Sequence, residues 1–240
     1  MKKFLTAILV SLIAFVTPSF SDEQQVIPAE AESVGIIVGD NGSCSAVVVS
    51  YDTIVTARHC DIASFQFIYK NQKFRIINTE ADHVTHTDTM SLKVDGYLEG
   101  PYQKIYRGEV PAGTEIMTIG YAYGETLAIG TGKSRYYGVL AKEIFDIFDF
   151  FGLVPGNMSY EDVPYGQICG KDPFCTGDSL IHDAFLAPGM SGGGTYAKIN
   201  GKWELVAVNS WLLRDPFMGV PLEYGSAPIN HLKVPNVGRS

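Results

Sequence analysis

Past its first residues the chain reads as short apolar runs with a period of two or none, separated by turns and with few helical stretches, a pattern of strands and not of a helical bundle. Examples are Ala46-Val47-Val48-Val49, Thr53-Ile54-Val55, Phe65-Gln66-Phe67-Ile68-Tyr69 and Lys73-Phe74-Arg75-Ile76-Ile77 in the first half. Thr114-Glu115-Ile116-Met117-Thr118-Ile119, Tyr136-Tyr137-Gly138-Val139-Leu140 and Trp203-Glu204-Leu205-Val206-Ala207-Val208 lie in the second. Ile36-Ile37-Val38-Gly39 reads as the first strand. The fold class is therefore all-β, with no internal repeat. One segment departs from the pattern: 144–153 reads either as a short amphipathic helix or as an exposed apolar lip.

Residues 1–21 carry a basic head (Lys2, Lys3), an apolar core and Pro18 before Ser19-Phe20-Ser21, which is the layout of a secretory signal peptide. The apolar core is short for a membrane-spanning helix, so an uncleaved anchor is the weaker reading and no stable membrane insertion of the mature chain is expected. Removing the signal takes away two lysines and no acid, making the net charge more negative than the −8 of the whole chain. An acidic exported chain is a poor partner for nucleic acid. Residues 22–33 are polar and read as a flexible N-terminal arm or short propeptide. The expected location is secreted or periplasmic, where four cysteines suggest disulfides.

The most chemically pointed stretch is Ala187-Pro188-Gly189-Met190-Ser191-Gly192-Gly193-Gly194. A serine hydroxyl that attacks a carbonyl needs a base for its proton and N–H donors for the oxyanion. Glycine lets the backbone approach closely, so the amides of Gly189 and Ser191 are the candidate oxyanion hole. Upstream, His59 ends Thr56-Ala57-Arg58-His59-Cys60 after a buried strand pair, and Asp88 heads the alternating strand Asp88-Thr89-Met90-Ser91-Leu92-Lys93-Val94. Asp82 also comes after His59, but Asp88 is in step with the strand. His83 and His86 with these two aspartates have no third strong ligand nearby, and a solvated loop is preferred to a metal site.

With His59-Cys60 after Thr-Ala-x, Asp-x-x-x-Leu-x-Val and Gly-x-Ser-Gly-Gly in that order, the chain resembles the trypsin/chymotrypsin-like serine proteases over about residues 35–211. The stretch from His182-Asp183-Ala184 to Gly193 looks most similar to the bacterial Deg-type and glutamyl-endopeptidase branches. The resemblance implies two antiparallel six-stranded β-barrels with the active site in the cleft between them, at about 34–110 and 111–240. It implies a catalytic triad of His59, Asp88 and Ser191, acyl-enzyme chemistry on polypeptide substrates, and no cofactor or metal. It also implies a Cys44–Cys60 bridge beside the histidine, leaving Cys169 and Cys175 to close a small loop, with a redox or metal pair as the weaker reading. Oligomeric state is not legible in the sequence.

In many members of that family a freshly cut N-terminus pairs with an aspartate just before the nucleophile. Met190 stands there and cannot pair with an ammonium, so the site is expected to form without that switch. Arg58 and Gly194 also depart from the family pattern, where a small residue and a proline are usual. The resemblance puts the substrate-binding residues at Phe185 and Leu186, near the pocket base, and at Ser210, Trp211 and Leu212, along which an extended peptide would pair. An uncharged base disfavours Lys or Arg at P1, and Leu212 makes the slot shallow, so small or medium apolar side chains are expected. The acid-binding histidine of the glutamyl branch is missing at Val208-Asn209.

Two other function classes fit parts of the sequence. Gly189-Met190-Ser191-Gly192-Gly193 also matches the G-x-S-x-G elbow of esterases, with Asp215 and His231 downstream, but that elbow needs a helix after the serine, and here a β-hairpin is expected. A protease-like binding protein that has lost catalysis is the third class; all three catalytic residue types are nevertheless present. His182 and His231 read as structural or surface residues.

Overall fold

The computed structural model describes residues 27–40, 42–60, 66–80, 87–139, 178–214 and 221–232. The signal peptide, Asp82 to His86, the 144–153 segment and Cys169 and Cys175 lie outside the described residues.

Six strands close a first barrel in the order β1-β2-β3-β6-β5-β4: β1 (Val34–Gly39), β2 (Gly42–Val48), β3 (Thr53–Thr56), β4 (Gln66–Tyr69), β5 (Gln72–Glu80) and β6 (Met90–Asp95). Six more close a second in the order β10-β11-β12-β9-β8-β7: β7 (Glu115–Ala122), β8 (Thr126–Val139), β9 (Asp178–His182), β10 (Gly194–Ile199), β11 (Lys202–Arg214) and β12 (Pro221–Pro228). All the strand pairings within the barrels are antiparallel. Closure removes the sheet edges that would otherwise offer unpaired N–H and C=O groups to other chains.

The alternation seen in the sequence is what fills each barrel. Along β6, Met90, Leu92 and Val94 are buried while Ser91 and Lys93 are only half-buried, the period-two signature of a strand with one face on the core. Leu92, Ile54, Phe67 and Ile37 pack inside the first barrel and Ile116, Leu180 and Ala207 inside the second, all with essentially no exposed surface. The barrels meet along β1 and β2 against β7, and along β3 against β11. The connector after β6 touches the second barrel through an isolated parallel bridge, Ile105 to Leu205.

Two features differ from what the sequence pattern predicts. Strands β9 and β12, and the first half of β8, form although Asp178-Ser179, Glu223-Tyr224-Gly225-Ser226 and Gly130-Thr131-Gly132-Lys133 lack an apolar alternation. Residues 29–33, which the sequence places in a flexible arm, form a 3-10 turn with Ala31 and Ser33 buried. The hydroxyls of Tyr69 in the first barrel and Tyr196 in the second donate to the Glu32 and Glu30 carbonyls, at 2.9 Å and 3.5 Å.

Candidate active site

His59 sits in the 3-10 turn Arg58–Cys60 that leaves β3, and the Cys44–Cys60 disulfide ties this turn to β2 across a sequence separation of 16. Asp88 lies just before β6, which pairs with β3 in the register Thr56↔Met90, so the strand pairing itself brings the two residues together. The Asp88 side chain is 4% exposed and that of His59 37%. His59 Nδ1 lies 2.6 Å from Asp88 Oδ2, and the His59 backbone N–H donates to Oδ1 at 2.9 Å. Ser210 Oγ, on β11 of the other barrel, donates to Oδ2 in a short hydrogen bond. The carboxylate thus takes three donors, and its contacts engage Nδ1 and fix the orientation of the ring. Behind it, the flanking Thr87 and Thr89 hydroxyls each lie 3.1 Å from His231 Nε2, which makes His231 a structural support.

Ser191 comes from the second barrel, and its backbone lies against the turn that carries His59. Its carbonyl accepts the Ser45 N–H at 2.7 Å and lies 3.7 Å from Cys60 Sγ, beside His59. Ala187 to Met190 form a turn closed by Met190 N–H donating to the Ala187 carbonyl at 3.0 Å, with Gly189 at φ +88°. Pro before Gly at these positions suits a type II turn, in which the third residue needs a positive φ. A side chain at Gly189 would also collide with the Tyr121 carbonyl and the Tyr123 and Gly124 amides, all within 2.7 Å of a Cβ placed there. Among the described residues no acceptor engages the Gly189 or Ser191 N–H. After Ser191 the chain enters strand β10 and not a helix, which is incompatible with the esterase elbow.

Phe185 is 49% exposed, with its ring edge-on to Tyr224, while Leu186 is buried. Backbone pairing puts Trp211 opposite Gly225 and Leu212 opposite Tyr224. Phe185 by its ring and Leu212 by backbone pairing thus both meet Tyr224, a residue that no sequence motif marks. Tyr224 also stacks on His182, whose ring is fully buried and whose Nε2 lies 2.9 Å from Ser226 Oγ. Burial pushes the His182 pKa down to about 4, against weaker opposing effects of the Ala184 backbone and Asp183, and among the described residues Nδ1 has no partner of hydrogen-bonding geometry. Asp183 accepts the Lys133 N–H at 2.6 Å and pairs with Arg135, a structural role on the second barrel.

Cys44, His59 and Cys60 bring three potential metal-ligand atoms within 4.8 Å, but two are the sulfurs of the disulfide. Metal ligation by cysteine uses the thiolate, so this cluster does not fit a metal. Among the described residues no helix is long and apolar enough to cross a membrane.

Solved structures share this architecture. The active form of the Rv3671c protease from M. tuberculosis superposes with a TM-score of 0.59 at 16% identity, covering 83% of this chain and 77% of that one. Its inactive form gives 0.57 at 16% identity, over 83% and 85%. The fold is the trypsin-like double barrel. An HtrA-type protease, AlgW with a tripeptide, gives 0.56 at 17% identity over 82% of this chain and 56% of its own. Neither a family model nor a curated protein matches the chain. At these identities the likeness is one of fold, and the chemistry must be argued from the side chains.

Proposed function

We propose that this protein is a trypsin-like serine endopeptidase, with His59, Asp88 and Ser191 as its triad and the Gly189 and Ser191 amides as its oxyanion hole. The observation that carries the reading is the Asp88–His59 pair of one barrel beside Ser191 of the other, next to two backbone N–H groups without acceptors among the described residues. That the structural neighbours are proteases is consistent with it. His59 takes the proton from Ser191 as the hydroxyl attacks the peptide carbonyl, and Asp88 stabilises the imidazolium that forms. The two amides hold the developing oxyanion, and His59 then protonates the leaving amine. Water, deprotonated by His59, cleaves the acyl-enzyme and restores the Ser191 hydroxyl. No cofactor takes part.

Substrate would lie extended along β11 at Ser210, Trp211 and Leu212, pairing by backbone hydrogen bonds. The P1 side chain would face Phe185 and Tyr224, and the uncharged lining favours small or medium apolar residues over Lys, Arg or Glu. The signal-like N-terminus and the Cys44–Cys60 bridge support action outside the cytoplasm, on a branch of the family similar to the Deg-type enzymes.

Labelling with a fluorophosphonate probe and cleavage of a peptide library test this reading together. Ser191-dependent labelling, with peptide turnover that Ser191→Ala abolishes, is the expected result. Labelling without peptide cleavage would point to an esterase, and no labelling at all to a binding protein. The same library reads the P1 preference, and dominance of Lys, Arg or Glu would overturn the pocket assignment while leaving the triad standing.

A further inference from the structure

Three successive carbonyls of the nucleophile loop are each held by a donor from elsewhere in the fold. The Pro188 carbonyl accepts the Tyr123 N–H at 2.6 Å. The Gly189 carbonyl accepts the Ser45 hydroxyl at 2.9 Å, and that same oxygen receives the Tyr121 N–H at 2.8 Å. The Met190 carbonyl accepts Asn209 Nδ2 at 3.0 Å, and the same amide group donates to the Ile119 carbonyl at 3.1 Å. Ser45 and Asn209 are both fully buried, and each links the loop to β7, at Tyr121 and Ile119 respectively.

These anchors decide where the loop's N–H groups point. A peptide unit is planar and trans, so its C=O and the N–H of the next residue point in opposite directions. Holding the Pro188 carbonyl against the β7–β8 turn aims the Gly189 N–H away from it. Holding the Met190 carbonyl against Asn209 likewise aims the Ser191 N–H away from the barrel interior. Two unsatisfied donors side by side are costly, and a loop free to turn a peptide unit would relieve them. With carbonyls 188, 189 and 190 all engaged, any such turn would break a hydrogen bond, and at Met190 a buried one.

Asn209 is itself fixed. Thr195 Oγ1 donates to Asn209 Oδ1 at 2.8 Å, which sets the amide so that its nitrogen faces the two carbonyls. Thr195 lies 2.6 Å from Ser226 Oγ, and Ser226 meets His182, so the chain of contacts crosses the second barrel. The Asn209 backbone also exchanges hydrogen bonds with Gly192 and Gly193, at 2.7 and 2.8 Å.

We propose that Asn209 and Ser45 are positioning residues of the nucleophile loop, Asn209 presetting the Ser191 amide toward the cleft and Ser45 fixing the Gly189–Met190 peptide unit that joins it to the Gly189 amide, in place of an ion pair at the Met190 position. The catalytic half of this proposal rests on the protease reading above; the structural half does not. Neither residue touches the reacting atoms. Both act through the peptide units they clamp.

The test compares Asn209→Ala, Ser45→Ala, Thr195→Val and Thr195→Ser in the full-length chain, reading kcat and KM on a peptide anilide with an apolar P1 residue, thermal unfolding, and amide hydrogen exchange across residues 187–193. Asn209→Ala and Ser45→Ala are expected to lower kcat by about 10²-fold, the scale of a small misplacement of catalytic groups, with KM little changed. Loop exchange should quicken in both. Thr195→Val should act in the same direction to a smaller extent, and Thr195→Ser should restore wild-type behaviour because it keeps the hydroxyl. If Asn209→Ala does not fold, Ser45→Ala and the Thr195 pair decide the matter. Folded variants with unchanged loop exchange would overturn the proposal whatever their activity, as would a rise in KM with kcat untouched. A wild-type chain without Ser191-dependent turnover would sink the protease reading alone, and loop exchange would then decide whether Asn209 and Ser45 set the loop.

Discussion

Asp88 grips His59 twice, once through the ring at Nδ1 and once through the backbone N–H at Oδ1, so carboxylate and imidazole have a fixed relative orientation. The grip makes the effect of Asp88→Asn specific. The backbone N–H demands an acceptor, so the asparagine oxygen takes the Oδ1 place and its NH2 faces Nδ1. Nδ1 must then accept, the ring proton moves to Nε2, and in the proposed mechanism Nε2 can no longer take a proton from Ser191. We expect kcat to fall about 10⁴-fold with the fold intact. A loss of less than about tenfold would show that Asp88 does not set the tautomer.

The disulfide is the covalent part of the same arrangement. In a chain-entropy view, closing a loop of this length removes about 3 kcal/mol of unfolded-state freedom. Replacing Cys44 and Cys60 together by Ser should lower stability by about that amount in urea unfolding. Since Cys60 directly adjoins His59, the loss should be accompanied by lower activity even at temperatures where the variant is folded. Full activity in the folded double variant would mean that β3 and Asp88 hold the histidine without help.

Much of the candidate site was legible because the residues proposed to carry its chemistry sit in motifs with distinctive neighbours: His59 before a cysteine, Asp88 at the head of an alternating strand, Ser191 among glycines. The support was harder to read. Asn209 ends the apolar run from Leu205 to Val208, and a polar residue in such a place signals a buried hydrogen-bonding role, but not with which carbonyls. Ser45 looks like any serine after a cysteine. Tyr224 lies in a strand whose sequence has no alternation, so neither β12 nor its part in the pocket could be seen. Such contacts form between residues far apart in the chain, and only barrel closure creates them.

His182 gives a pH dependence with a definite sign. Its folded pKa, pushed down to about 4 by burial, lies below the usual 6.5, so between these values the unfolded chain binds a proton that the folded chain refuses. The folded state therefore loses stability from this group as pH falls from about 6.5 to about 4, and no further below that. The full effect is on the order of 3 kcal/mol. His182→Gln, which does not titrate, should show a shallower fall in urea midpoint over this window. Parallel profiles for the two proteins would place the acid sensitivity elsewhere.

The N-terminal turn sets the last expectation. A chain cut to begin at Pro28 keeps the Ala29–Ser33 turn, whereas one cut to begin at Val34 removes the Glu30 carbonyl that Tyr196 uses and one of the two carbonyls at Tyr69, leaving that of Glu99, and uncovers the core around Ala31. Tyr196 would lose the Glu30 carbonyl together with the apolar cover of the turn, at a combined cost of about 1–3 kcal/mol. The new ammonium would also sit on a residue only 3% exposed, with methionine, not aspartate, before the nucleophile. We expect the Pro28 form to match the longer chain in melting temperature and activity. The Val34 form should melt several degrees lower, at roughly 2–4 °C per kcal/mol for a chain of this size, and gain no activity. If the Val34 form were instead the more active one, the loop would depend on a cut N-terminus after all, and the clamp by Asn209 and Ser45 would not be sufficient to preset it.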